Sequence, residues 1–365
     1  MKPFARSAAT LSGQAILWLG LLGGLAAALV WISTRPPEPP APSGGIDLVG
    51  AGATFPYPLY RRWITEYAEE SGVRINYFSL GSGEGIRLVL EGSVDFGATD
   101  RPLRPGERAR ATCGPFEVPM VVGAVAVAYN VPGLLTPLRL DADVLAAIFL
   151  GRITRWDDPA LAALNPGRAL PSIALHAVHR APSSGTREIF SVYLDGSRAW
   201  RERPAGTNQW PVGISAEGNE GVTSQLQVSP GSIGFVELSY ASLARIPVAA
   251  LRNAAGAFVL PDDASLTAAA TELLTSATVD SITSLVGARD PAAYPVAAVT
   301  RLVADRVLRD EVRGRHFVAF VRWALTEGSA SASALGYVPL PTTVARLESD
   351  RLDRLSPGTC PAANE

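Results

Sequence analysis

Three stretches of this chain place a hydroxyl among small residues just ahead of an amphipathic run. The first is Val49-Gly-Ala-Gly-Ala-Thr-Phe-Pro56, leading into Leu59 to Glu69. The second is Gly81-Ser-Gly-Glu-Gly85 before Ile86-Arg-Leu-Val-Leu90, and the third is Ser183-Ser-Gly-Thr186 before Arg187 to Leu194. Each reads as a tight turn opening a helix. A helix start leaves backbone N–H groups without partners at the positive end of the dipole, which is a site for an anion. Two charged residues stand beside these starts: Asp100, after Val94-Asp-Phe-Gly-Ala-Thr99, and Arg180, after Ile173-Ala-Leu-His-Ala-Val-His179. One arginine and several helix-end amides can hold a buried oxyanion without a metal.

Plainer readings of the same residues stay open at this point. Thr54 and Ser82 serve equally as helix caps, Asp100-Arg101-Pro102 as a turn with a surface carboxylate, and Arg180 as a solvated arginine. Hydrolase chemistry at Ser183 or Ser184 is disfavoured. Neither sits in a Gly-x-Ser-x-Gly elbow, and the base would have to be His176, His179 or His316. The turn Gly81 to Gly85 lacks the Lys-Ser/Thr ending of a nucleotide phosphate loop. With three histidines and two cysteines, Cys113 and Cys360, no metal site and no cofactor is expected. The formal charge of −2 offers no basic field for nucleic acid. The tryptophans are widely spaced and read as packing.

The elements that must position these residues alternate. Ile46 to Val49, Val73 to Phe78 and Val94 to Thr99 read as strands, with helices over Tyr57 to Glu70 and Gly85 to Glu91 between them. That is the start of an open α/β sheet, in which ligand residues gather past the carboxyl ends of strands. Thr54, Ser82 and Asp100 all fall there. Glu117 to Asn130 is too long for one ordinary strand, although Gly123 interrupts it, and Pro295 to Val303 is a second long extended segment. Two such crossings imply two lobes, the first noncontiguous: residues 46–124 with 297–358, and 125–296, followed by a tail at 359–365. A cleft between them is where a ligand site is expected. Further strands are expected at Ile173 to Arg180 and Ser232 to Leu238. Helices are expected at Leu140 to Leu150, Glu220 to Val228, Ala264 to Leu274, His316 to Thr326 and Val344 to Leu355, and Gly206 to Asn219 reads as loop.

Residues 1–45 are separate. Lys2 and Arg6 precede the apolar run Ala15 to Ile32, and a Pro-rich spacer follows at Arg35 to Gly45. This is an export segment, either a cleaved signal or a retained membrane anchor, and it places the folded part outside the cytosol. In that compartment Cys113 and Cys360 are able to pair, or remain as two thiols.

Together, Gly50-Ala-Gly-Ala-Thr-Phe-Pro56, Gly81-Ser82, Val94 to Asp100, Arg180 with Ser184-Gly-Thr186, Gly151-Arg-Ile-Thr-Arg-Trp-Asp-Asp158 and Gly231-Ser-Ile-Gly-Phe-Val-Glu237 resemble the phosphate-binding protein of the bacterial high-affinity phosphate ABC transporter. The resemblance runs from about Ile46 to Leu355. It implies a type 2 periplasmic-binding fold, two α/β lobes joined by two crossing strands, that clamps inorganic phosphate and passes it to a membrane permease. The protein would then be a monomeric receptor and not an enzyme; a receptor for another oxyanion, or a phosphate sensor or scavenger, is the alternative. The resemblance also assigns roles. Thr54 binds through hydroxyl and amide, Phe55 through its amide, and Ser82 from the second helix start. Arg180 supplies the cation, and Ser184, Gly185 and Thr186 the third cradle. Asp100 accepts the proton that phosphate carries and sulfate lacks. Two departures stand out: Pro182 replaces the acid that usually follows the site arginine, and Glu84 replaces a small residue, with Arg87 in the same helix able to draw it outward.

Overall fold

The structure, a computed structural model, describes residues 47–357 apart from 112, 135, 204–209, 277–285 and 309. The chain divides into two units, Met1–Gly45 and Ile46–Glu365. The segment 1–45 expected to direct export, the expected tail at 359–365, Cys360 and part of the loop expected at 206–219 lie outside the described residues. Among the described residues no helix is long and apolar enough to cross a membrane.

The strands that matter for the site are β1 (Asp47–Gly52), β2 (Arg74–Ser79), β3 (Phe96–Thr99), β4 (Pro115–Asn130), β5 (Arg139–Leu140), β6 (His176–Arg180), β7 (Ile214–Ala216), β8 (Ser232–Glu237), β9 (Ala250–Arg252), β10 (Phe258–Val259) and β11 (Ala297–Asp305). A nine-stranded sheet has the order β2-β1-β3-β11-β4-β8-β6-β7, with the short strand Val338–Pro339 also on β4. A small sheet joins β10, β9 and β5.

Strand β1 is flanked by β2 and β3, both parallel to it, so all three carboxyl ends point one way. Parallel β6, β7 and β8 repeat the arrangement at the other end of the sheet. The helices that connect them bury one stripe each. In Tyr57–Ser71 the stripe is Leu59, Tyr60, Trp63 and Tyr67, at the i, i+4, i+8 spacing of a single helix face. Ile64 and Ala68, beside that stripe, are half-buried.

Strand β4 spans the sheet's two ends. It pairs with antiparallel β11 from Pro115 to Ala124 and with antiparallel β8 from Val125 to Asn130. The sequence makes Gly123 look like an interruption, yet the strand runs through it. A Cβ there would stand 2.5 Å from the Phe55 ring, so the glycine is a notch for that ring. The helix expected from His316 starts earlier than periodicity suggests, at Glu311, because Asp310 accepts from the Val312 and Arg313 amides. The loop expected up to Asn219 contains β7, whose parallel partner β6 is far away in sequence. Cys113 is disulfide-bonded, and the sequence holds one other cysteine, Cys360.

Candidate functional site

Four helix starts converge, one more than the sequence reading anticipated. Thr54, Phe55, Ser82, Asp100, Arg180, Ser184, Gly185 and Thr186 are all buried, and the structure brings them to one place. Backbone bonds set the first two turns. The Leu80 and Gly81 amides donate to the Gly52 carbonyl at 2.9 and 2.7 Å, and the Ala53 amide donates to the Ala98 carbonyl at 2.9 Å. The second and third turns touch directly, with the Gly83 amide 3.1 Å from the Ser183 carbonyl. Gly185 is required by this contact. A Cβ there would lie 2.5 Å from Ser82 Oγ and 2.7 Å from Asp100 Oδ2. Ser183, just before, has φ +68°, a left-handed conformation that costs a non-glycine residue roughly 1–3 kcal/mol.

The hydroxyls are not simple caps. Neither Thr54 nor Ser82 caps its helix with its side chain. Thr54 Oγ1 accepts from the Asn219 amide at 3.2 Å and from Asn219 Nδ2 at 2.8 Å. Thr186 Oγ1 accepts from Arg180 Nη1 at 3.3 Å and from Asn219 Nδ2 at 3.4 Å. Because those oxygens receive N–H donors, both threonine protons are left to be given elsewhere. Ser82 Oγ donates to Asp100 Oδ2 at 3.1 Å and accepts from the Asp100 amide at 3.2 Å. Ser184 does cap, accepting from the Arg187 amide at 3.2 Å, so it offers the site its backbone.

Asn219 is the residue that sequence reasoning missed. It opens the helix Gly218–Val228, is fully buried, and its Oδ1 accepts from the Glu237 amide at 3.0 Å. It thereby ties Thr54, Thr186 and the end of β8 together. The signal was present as Glu217-Gly-Asn-Glu220, a fourth small, polar helix start hidden inside an expected loop.

Charge is arranged in opposition. Asp100 and Arg180 are both almost fully buried, and each keeps one polar atom without a partner: Asp100 Oδ1, an acceptor, and Arg180 Nε, a donor. Burial pushes the Asp100 carboxyl up to about 7, against the pull of Ser82 and Arg180. Burial likewise lowers the Arg180 guanidinium, and Asp100 opposes that shift. Among the described residues no ion pair takes the place of the acid that Pro182 displaces; Asp100 and Glu220 provide the counter-charge. Glu84 points away, paired with Arg87 at 2.5 Å in an exposed contact. His176 is exposed and His179 buried against Trp210, and no cluster of metal ligands occurs among the described residues.

A family model described as a PBP superfamily domain matches residues 36–327. The phosphate-binding protein PstS of Xylella fastidiosa (strain 9a5c) is 38% identical over 318 residues, 86% of each chain. That of Pasteurella multocida is 36% identical over 301 residues, 81% of this chain and 87% of the relative. The chain belongs to the PstS phosphate-binding protein family. Its fold is the type 2 periplasmic-binding fold. A high-affinity periplasmic phosphate-binding protein, solved with phosphate at pH 8.5, superposes with a TM-score of 0.67 at 23% identity, covering 83% of this chain and 92% of that one. Members of the PstS family are substrate-binding proteins.

Proposed function

We propose that this protein is an extracytoplasmic receptor that clamps inorganic phosphate between two lobes and delivers it to an ABC-type importer, without turnover of its own. The observation that carries the reading is the pair of unpartnered buried atoms, Asp100 Oδ1 and Arg180 Nε. A buried acceptor and a buried donor in one site are both satisfied by an oxyanion that has its own O–H. Phosphate has that proton at neutral pH; sulfate does not. Thr54, Phe55, Ser82, Ser184, Gly185 and Thr186 supply the remaining donors, and Asn219 orients two of the hydroxyls.

The proposed lobes are residues 46–124 with 297–358, and 125–296. Their boundary is supported by β4, which changes neighbour between Ala124 and Val125. Export by residues 1–45, a membrane permease as receiver and a monomeric state complete the proposal. Phosphate and sulfate titrated calorimetrically into ligand-stripped protein at pH 7 to 8 test it. One-site phosphate binding with sulfate silent is expected. Sulfate binding as tight as phosphate would move the protein to another oxyanion, and release of phosphate from an ester would make it an enzyme.

A further inference from the structure

Behind the Phe55 peptides lies a second buried acid that the site itself does not use. Glu237, at the end of β8, is fully buried, and its Oε1 has no partner. Oε2 accepts from the Ser239 amide at 2.8 Å, touches Ser239 Oγ, and stands 2.9 Å from Tyr337 Oη. Tyr337 Oη is also 2.8 Å from the Phe55 carbonyl oxygen and 3.1 Å from Ser239 Oγ. On the other side of Phe55, Tyr240 donates to the Thr54 carbonyl at 2.6 Å. The two phenols therefore pin the peptides flanking Phe55, and the Thr54–Phe55 peptide carries the N–H assigned to the anion.

Tyr337 has one proton and two acceptors in reach, the Phe55 carbonyl and Glu237 Oε2, and a neutral Glu237 leaves that proton to the carbonyl. Tyr337 Oη is then an acceptor facing Glu237 Oε2, and two bare acceptors at 2.9 Å repel unless the carboxyl carries a proton. An ionised Glu237 would take the Tyr337 proton for itself and strip the Phe55 carbonyl of its donor. No ion pair holds Glu237 among the described residues, and a buried carboxylate without a cation is costly, whereas a neutral carboxyl leaves only a carbonyl-type oxygen at Oε1.

We propose that Glu237 is a positioning residue for anion binding that works protonated, locking the Phe55 peptide through Tyr337, and that its ionisation releases this lock and weakens phosphate binding. Burial pushes the Glu237 carboxyl up to about 8 and Asp100 adds to it; Ser239 opposes this, as does Tyr337 when its proton turns to an ionised Glu237. The titratable groups facing it are Tyr337 ahead of the strand Val338–Pro339, Tyr240 on the helix Leu238–Leu243, and Asp100 at the end of β3. All are acids, so none stabilises the ionised form as a counter-ion would.

The proposal rests on the phosphate reading, and the test separates the two. Phosphate Kd is measured between pH 7 and 9 for the full chain and for Glu237→Gln, whose amide imitates the neutral carboxyl. Taking their ratio cancels the ionisation of phosphate. The ratio of wild-type to variant Kd is expected near one at pH 7 and to rise about tenfold by pH 9, one unit above the titration point. A flat ratio, or a folded variant already tenfold weaker at pH 7, overturns the proposal. If Glu237→Gln does not fold, infrared spectroscopy of Asp100→Asn decides: a protonated-carboxyl band present at pH 7 and lost by pH 9 supports the assignment, and its absence at pH 7 refutes it. Failure of both proteins to bind phosphate at any pH would sink the receptor reading alone, and the infrared titration would still judge Glu237.

Discussion

The two sides of the site reach the same end by different means. On one side Thr54, Ser82 and Asp100 follow three adjacent parallel strands, and backbone bonds to Gly52 and Ala98 hold the turns. On the other, Arg180, Thr186 and Asn219 are held by side-chain bonds, and the turn between them passes through Ser183 at φ +68°. The first side brings the carboxylate and the second brings the cation. Under the proposed phosphate reading the comparison teaches that discrimination and attraction are divided: a stiff wall checks the anion for a proton, and a wall held by side chains pulls the anion in.

The largest effect belongs to the attracting side. Arg180→Ala removes a buried cation and leaves the Asp100 charge uncompensated, so phosphate affinity should fall by several kcal/mol, read by calorimetry. An affinity within tenfold of wild type would show that the helix-end amides suffice. Next comes the contact between the walls. Gly185→Ala drives a methyl against Ser82 and Asp100, and closure should lose about 1–3 kcal/mol, the usual penalty of overpacking, seen as weaker binding with an unchanged melting temperature of the empty protein. Unaltered affinity would mean that this contact is not part of the bound state.

Asp100→Asn breaks the division itself. It should narrow the preference for phosphate over sulfate rather than abolish binding, because an amide can donate to an anion that has no proton. Selectivity equal to wild type, measured by competition, would remove Asp100 from that role. The smallest effect is at the rim, where Glu188 is ion-paired with Arg101 at 3.2 Å and accepts from Arg104 at 2.9 Å. These pairs are partly exposed. Glu188→Gln should change affinity by no more than about 1 kcal/mol and act mainly on the phosphate dissociation rate, with a reduced salt dependence. A salt dependence identical to wild type would show that the pairs are idle.

What the sequence showed follows the same division. The first side was legible because its residues are local: glycine turn, hydroxyl and amphipathic run sit side by side, and strand ends deliver Thr54, Ser82 and Asp100 to one edge. Arg180, Ser184, Gly185 and Thr186 were legible for the same reason. Asn219 was not, since it opens a helix ordinary in sequence and matters only because Thr54, Thr186 and the end of β8 lie around it. The strand β7 escaped notice because parallel pairing to β6 spans a long stretch of chain, and Gly123 misled because its reason is the Phe55 ring.

By itself, then, the sequence determined the alternation of strands and helices, the helix starts and the charges beside them, because periodicity and turn chemistry act between near neighbours. Only the tertiary structure decided that Asn219 reaches the Thr54 hydroxyl and that Glu237 stands beside Tyr337. Those outcomes depend on burial and on partners a hundred or more residues away, such as Tyr337 for Glu237, and no local pattern encodes either.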